Sequence, residues 1–145
     1  MFAKKKIVEI ESLTVDPDLV PPTDERFQEL LEECIAGTCP MYWAWIPTRF
    51  LIPSFPTFRP ETKPTLISVI EALRIDIRNR RVSTIYTYSI GQWFVVSDDY
   101  PQMYAAMLEN IPEVPSYILG EPINPRTRDL RRIPPDEVMI AIAGG

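Results

Sequence analysis

Residues 85–120 read IYTYSIGQWFVVSDDYPQMYAAMLENIPEVPSYILG, and this stretch decides the fold class. β-branched and aromatic residues precede Gly91, and an apolar run follows Gln92, which is the pattern of a β-hairpin with a two-residue turn. The acidic turn before Pro101 begins a helix, because proline lacks an N–H that the first helical turn does not use. The apolar run that ends at Gly120 predicts another strand. Two strands, a helix and a strand in this order indicate a mixed α and β domain.

The chain before this stretch adds helices and strands of the same kind. Apolar residues recur with helical spacing from Phe27 to Ile35 and again within 65–80, so both segments are expected to be amphipathic helices. The aromatic run 41–46 and the alternating residues 6–10 predict strands. We therefore expect an α+β fold, with a small mixed sheet and about three helices.

Length and composition divide the chain into a domain and a tail. A chain of 145 residues is the usual size of one domain. From Glu121 the sequence becomes rich in Pro, Arg and Asp, which predicts a single α/β domain over 1–120 and a C-terminal tail over 121–145 that is flexible or held by a partner. The apolar end 138–143 is expected to dock on this domain or on another copy, so a homodimer is one arrangement to test.

Charge and missing residue types exclude several classes of function. The chain has no histidine and a net charge of -5, which removes histidine-dependent catalysis and disfavours a nucleic-acid partner. Cys34 and Cys39 are too few ligands for a structural zinc site, and Cys34 lies on an apolar helix face, where a buried thiol is expected. No secretion signal or membrane-length apolar run is found, so a cytoplasmic location without membrane contact is expected.

Aromatic and basic residues outside the predicted core are candidates for binding a protein partner. Trp and Tyr commonly anchor protein interfaces, and arginine clusters recur in the tail. Packing over a core edge would also explain the aromatic residues, and a solvated face would explain the arginines. The candidate binding residues are Tyr42, Trp43, Trp45, Phe50, Phe55, Phe58, Arg126, Arg128, Arg131 and Arg132.

The stretch quoted above resembles the ParB and sulfiredoxin-like superfamily. In that family a strand enters a turn and a helix that read roughly Asp-Gly-His-His-Arg-x-x-Ala, and a closing strand opens on Val-Pro. The matching positions are the incoming strand at Val95-Val96, the turn aspartate Asp98, the helix alanine Ala105 and the closing strand at Val114-Pro115. The resemblance implies a ParB-like α+β fold and, in intact members, a nucleotide phosphate at the start of the helix.

Departures from the family pattern bear on function. Asp99 occupies the glycine position and Gln102 the arginine position, and the sulfiredoxin cysteine is missing from this turn. An added carboxylate repels phosphate, and an amide does not replace a bidentate cation. The sequence thus favours a non-catalytic regulator or adaptor without a cofactor. The alternative is a divergent Mg²⁺-dependent nucleotide hydrolase or nuclease in which Asp98 and Asp99 hold the metal ion. A structural explanation also remains open, in which both carboxylates cap the helix.

Overall fold

A six-stranded mixed sheet with helices on both of its faces forms the framework of the protein. The computed structural model describes residues 25–54 and 64–144. Over these ranges the helices are α1 (Glu25–Ala36), α2 (Pro64–Arg78), α3 (Tyr100–Leu108) and α4 (Val138–Gly144). The strands are β1 (Met41–Pro47), β2 (Leu51–Pro53), β3 (Ile85–Ile90), β4 (Trp93–Val96), β5 (Glu113–Leu119) and β6 (Arg128–Arg132). The predicted α+β class with a mixed sheet is confirmed.

The strands lie in the order β2-β4-β3-β5-β1-β6. β3 and β4 form the predicted antiparallel hairpin, and Gly91 in its turn has φ of 57°, a value that glycine adopts without strain. The pairs β2–β4 and β3–β5 are parallel, whereas β1 is antiparallel to both β5 and β6. Among the described strands, the two edges of the sheet are therefore β2 and β6.

Alternation along the strands separates two apolar layers. Ile85, Phe94 and Ile118 point to the first face, where α2 and α3 pack on them through residues such as Ile70 and Met103. The second face is covered by α1 and α4. There the buried side chains include Phe27, Leu30, Met41, Tyr88, Val95, Leu119 and Val138. Because both faces are covered, most of the sheet is core, and partly exposed aromatic side chains remain along several strands, including β1.

An ion-pair network joins α2 to the end of α3. Glu109 accepts hydrogen bonds from Arg74 Nε at 2.6 Å and from Arg78 Nε at 2.7 Å, and Arg74 also bonds Glu71 at 2.9 Å. Arg74 is 8% exposed, so its charge is largely removed from water. The hydrogen bonds from Arg78, and then the one from Arg74, hold the pKa of Glu109 below its usual value. The network thus fixes α2 against α3.

The C-terminal segment contributes to the same sheet. β6 pairs with β1, and Ile133 N–H donates to Met41 O at 2.8 Å just beyond the strand. Ile133 and Val138 are buried in the second-face layer, beside α1. Residues that composition sets apart as a tail therefore supply an edge strand and a helix, and the apolar end docks as α4 on its own domain.

Some predictions lie outside the described residues, namely the strand 6–10 and the side chains Phe55 and Phe58. No helix within the ranges that the structure describes has the length and apolar character needed to cross a membrane.

Candidate functional site

A row of aromatic side chains crosses the second face of the sheet towards β6. Tyr86 of β3 is in register with Tyr117 of β5, which is in register with Trp43 of β1, and Trp43 is in register with Arg131 of β6. The Tyr86 and Tyr117 rings stack with centroids 5.4 Å apart. Trp43 also meets Trp45 edge to face, at 5.9 Å. The row ends at the sheet edge, so its last rings are partly open to solvent.

Arginines from the C-terminal segment lie over these rings. The guanidinium carbon of Arg131 is 5.0 Å from the Trp43 centroid, and that of Arg128 is 5.2 Å from the Trp45 centroid. The Phe50 ring has two such neighbours, Arg126 at 5.5 Å and Arg49 at 5.1 Å. Cation–π contacts at exposed sites contribute about 0.5–1 kcal/mol each. They therefore orient the arginine side chains as well as holding β6 on β1.

The backbone explains why the three contacts fall in this order. β6 is antiparallel to β1, so Trp43 meets Arg131 and the later Trp45 meets the earlier Arg128. Phe50 follows β1 and meets Arg126, which precedes β6. The register shifts between Trp43 and Trp45, where β6 holds one extra residue, and Asp129 there has φ of 57°. Aspartate tolerates this left-handed conformation better than most residues. The resulting bulge keeps both Arg128 and Arg131 on the side of the tryptophans.

We call this region the aromatic–arginine surface. It spans both faces of the sheet along the β1–β6 edge, with Trp43 and Arg131 on the second face and Tyr42 on the first. It consists of Tyr42, Trp43, Trp45, Arg49, Phe50, Arg126, Arg128, Arg131 and Arg132.

The aromatic–arginine surface carries more positive charge than its neighbours neutralise. Arg128 pairs with Glu113 at 2.9 Å and with Asp129 at 3.0 Å. Among the residues with described positions, the surface's other four arginines have no carboxylate oxygen within 4.0 Å. The surface is therefore locally positive, although the whole chain has a net charge of -5. The surface is thus suited to a ligand that brings its own negative charge.

Tyr42 lies on the first face of the sheet, where it packs against the first apolar layer. Its hydroxyl donates to Glu121 Oε1 at 2.6 Å, and this hydrogen bond raises the pKa of Tyr42. The contact ties the start of the C-terminal segment to β1. The phenol therefore remains a neutral donor at physiological pH.

The structure brings together eight of the ten candidate binding residues from the sequence, and the other two, Phe55 and Phe58, lie outside the described ranges. Arg49 was missed, although its position next to Phe50 in the aromatic segment was a usable signal. For Tyr86 and Tyr117 the sequence pattern predicts only a position in a strand. Their alternation with buried neighbours indicates which face they occupy but not that the parallel pairing of β3 and β5 would align them with Trp43.

The two acidic residues after β4 do not lie in the same environment. Asp98 is exposed, whereas Asp99 turns inward and its Oδ2 accepts a hydrogen bond from Tyr86 N at 2.8 Å. Asp99 stands at the N-cap position of α3 but makes no side-chain hydrogen bond to that helix. The helix-capping explanation is thus wrong for Asp99, because its carboxylate instead holds the start of β3.

Burial is the largest influence on the Asp99 carboxyl and raises its pKa above the usual value, against the lowering effect of the Tyr86 N–H. The described part of the chain contains no group of three or more acidic, histidine or cysteine residues placed to hold a metal ion. A divalent cation at this turn would have to rely on an exposed carboxylate and on one already bonded to the backbone.

Variants of Asp99 should distinguish the effect of its titrating carboxyl on stability from the effect of its hydrogen bond to Tyr86 N–H. Its folded-state pKa is raised, so the folded wild type binds more protons and loses stability as pH rises from the unfolded pKa through the folded one. Asp99→Asn keeps an oxygen acceptor for Tyr86 N–H without a titrating group. We expect its free energy of unfolding, relative to wild type, to increase over that acidic window and then level off. Urea titrations at a series of pH values measure this difference.

The control is Asp99→Ala, which leaves Tyr86 N–H without its acceptor and should be about 1–3 kcal/mol less stable than Asp99→Asn at every pH. A pH-independent difference between wild type and Asp99→Asn would contradict the assignment.

The cysteines have a structural environment. Cys34 is buried in the second-face layer, and its Sγ lies 3.6 Å from Pro40 O. Burial, with a further contribution from Cys39, raises the pKa of Cys34 to about 12. The Cys34 thiol is therefore protonated at neutral pH and is a poor nucleophile.

The aromatic–arginine surface offers flat apolar rings, oriented guanidinium groups and a strand edge on which no other described strand lies, and these features are suited to binding. The Asp98–Asp99 turn offers one exposed carboxylate and one that already accepts a hydrogen bond from Tyr86 N. Comparison with models of protein families, with curated proteins and with solved structures finds no match for this chain.

Proposed function

We propose that this protein is a non-catalytic regulator or adaptor, built on a degenerate ParB/sulfiredoxin-like fold, that binds a protein partner through the aromatic–arginine surface. One observation carries the proposal: five arginines lie together on an otherwise acidic domain, two of them over partly buried tryptophans, and only Arg128 of the five pairs with a described carboxylate. Tryptophan, tyrosine and arginine are the residues that most often dominate binding energy in protein interfaces.

The arrangement of these side chains lowers the cost of binding. Arg131 is already held over Trp43, so fewer rotamers are lost when its guanidinium meets a carboxylate. A planar guanidinium can rest its face on an aromatic ring and present its edge N–H groups to a carboxylate. The surface is thus prepared for bidentate contacts with acidic side chains.

The balance of charge favours a protein over a nucleic acid. Screening limits electrostatic interactions to about 8–10 Å at physiological salt, so a short acidic segment senses the local arginines rather than the whole chain. A long phosphate backbone would extend past the surface and meet the domain's excess of acidic residues. The partner that fits is a protein with a local acidic segment.

The experiment is a selection of displayed peptides against the immobilised full chain, followed by affinity measurements on surface variants. We expect recovered ligands to bind Arg131→Glu/Arg132→Glu at least about tenfold more weakly, because two attractive charges become repulsive. The matched control, Arg80→Glu/Arg81→Glu, reverses two adjacent exposed arginines after α2 and should change affinity by less than about twofold. Circular dichroism and thermal unfolding confirm that both variants are folded.

Two outcomes would contradict the proposal. One is that ligands bind both double variants equally, which would place their site elsewhere. The other is calorimetric binding and turnover of ATP or CTP with Mg²⁺ that disappears in Asp98→Ala/Asp99→Ala while the fold is retained. That result would establish the alternative, a divergent Mg²⁺-dependent nucleotide hydrolase or nuclease.

A further inference from the structure

β6 is an exposed edge strand. It stands at the end of the sheet order, and all five of its residues are exposed. β2, at the other edge, is buried at each of its three residues and ends in Pro53, which has no N–H to donate. β6 is thus the more accessible edge for pairing with an extended chain.

The hydrogen-bond pattern shows which backbone groups of β6 are directed outward. Ile133 N–H donates to Met41 O, and the antiparallel register pairs Arg132 with Tyr42 and Arg131 with Trp43. In an antiparallel ladder, residues that bond the partner strand alternate with residues whose N–H and C=O point away from it. Arg132 is of the second kind. Its N–H and C=O therefore face away from β1, where the described part of the chain places no further strand.

The side chains of β6 select what can pair there. A second copy of this chain, added edge to edge through β6, would bring arginines close to arginines, and like charges across strands are destabilising. Charged edge strands commonly prevent such self-association. An acidic strand would turn the same charges into attraction. The edge thus discriminates between a second copy and an acidic partner.

We infer that the partner binds by adding a strand to β6, through an extended segment that carries two adjacent acidic residues; this rests on the proposed protein-binding function. Arg131 lies on the second face over Trp43, whereas Arg132 is in register with Tyr42, on the first face. Neighbouring residues of an added strand point to opposite faces, so two consecutive carboxylates meet these two arginines. Arg128 already pairs with Glu113 and Asp129 and requires no further acid.

A peptide uses more of this edge than a nucleic acid does. Phosphates can bind arginines, but they offer no alternating donors and acceptors for the N–H and C=O of Arg132. Strand addition takes its affinity from main-chain hydrogen bonds and its specificity from alternate side chains. The free backbone and the two arginines on opposite faces together therefore favour a peptide.

The test is an NMR titration of the full chain with the acetylated and amidated peptide TVTEEVTV. We expect saturable shifts of the Leu130 and Arg132 amides and slower hydrogen exchange of the Arg132 amide. The matched peptide TVTQQVTV should bind at least about tenfold more weakly, because it keeps the strand propensity and loses both charges. Two N-methylated forms of TVTEEVTV test the main-chain hydrogen bonds, one methylated at the odd-numbered peptide residues and the other at the even-numbered ones. Only the form in which the N–H groups that face β6 are methylated should lose binding.

Several results would overturn the inference. The first is that TVTEEVTV shows no saturable binding up to about millimolar concentration. The second is that both N-methylated forms bind equally well. The third is that oligothymidylate displaces the peptide at a concentration below the Kd of the peptide. If they occur while selected ligands still depend on Arg131 and Arg132, protein binding stands and only strand addition fails. If selected ligands do not depend on those arginines, the proposed function itself fails.

Discussion

Replacing Glu109 with alanine is expected to lower the free energy of unfolding by about 3 kcal/mol, because the Arg74 charge is left in a largely buried position without its closest partner. Arg74 is 8% exposed and its Nε lies 2.6 Å from Glu109 Oε2. The remaining partner, Glu71, is itself half-exposed and holds Arg74 less strongly. Urea unfolding followed by tryptophan fluorescence measures the loss.

Two controls test the reason for this loss. Arg78→Ala removes an exposed contact to the same carboxylate and should cost much less than Glu109→Ala, because water screens exposed ion pairs. Arg74→Met/Glu109→Met removes both charges and keeps apolar volume, so it should recover most of the stability that Glu109→Ala loses. Equal losses in Glu109→Ala and Arg78→Ala would show that the burial of Arg74 is unimportant.

The ion-pair network around Glu109 also makes the free energy of unfolding depend on pH. The folded-state pKa of Glu109 is lowered, so its stabilising effect is complete above the unfolded pKa and is lost as pH falls through the folded one. Wild type should therefore lose stability in acid relative to Glu109→Gln, which does not titrate.

Deleting residues 121–145 is expected to destabilise the domain by about 4 kcal/mol or more and to promote aggregation. The deletion removes Ile133 and Val138, each worth about 1.5–3 kcal/mol when fully buried, and the arginine–aromatic contacts add about 0.5–1 kcal/mol each. It also uncovers part of the second-face layer and exposes β1 as a new edge. Thermal unfolding and size-exclusion chromatography of the shortened chain measure both effects.

A point variant shows how much of this destabilisation comes from the packing of one buried side chain in the C-terminal segment. Ile133→Ala should cost about 2–4 kcal/mol in an otherwise intact chain. Ile140→Ala, at a position 70% exposed on α4, should change stability by less than about 0.5 kcal/mol. A shortened chain as stable as wild type would show that the segment is a dispensable tail. Because we expect the opposite, point variants rather than deletions are the suitable tools for partner searches.

Local pattern was sufficient for several elements. The predicted hairpin, the helices at 65–80 and after Ser97, and the strand 41–46 correspond closely to β3–β4, α2, α3 and β1. In each of these the periodicity of apolar residues matches the geometry of the element, so no distant contact has to override it. The aromatic and arginine candidates were also identifiable from composition.

Two strands were not predicted, for different physical reasons. β2 lies in a proline-rich segment, where a parallel edge position allows Leu51 and Ile52 to pair although the local composition favours an extended loop. β6 reads Arg-Asp-Leu-Arg-Arg and has no apolar alternation. It is held by pairing with β1 and by rings beneath its arginines, and these contacts span many residues of sequence.

The sequence by itself determined the α+β class, the acidic balance, the lack of histidine and the residue types available for binding, because these depend on composition and short-range periodicity. Only the tertiary structure decided that the C-terminal arginines lie over the β1 tryptophans and that Asp99 bonds Tyr86. Both depend on strand order and register, which are set by the packing of the two apolar layers rather than by any local stretch.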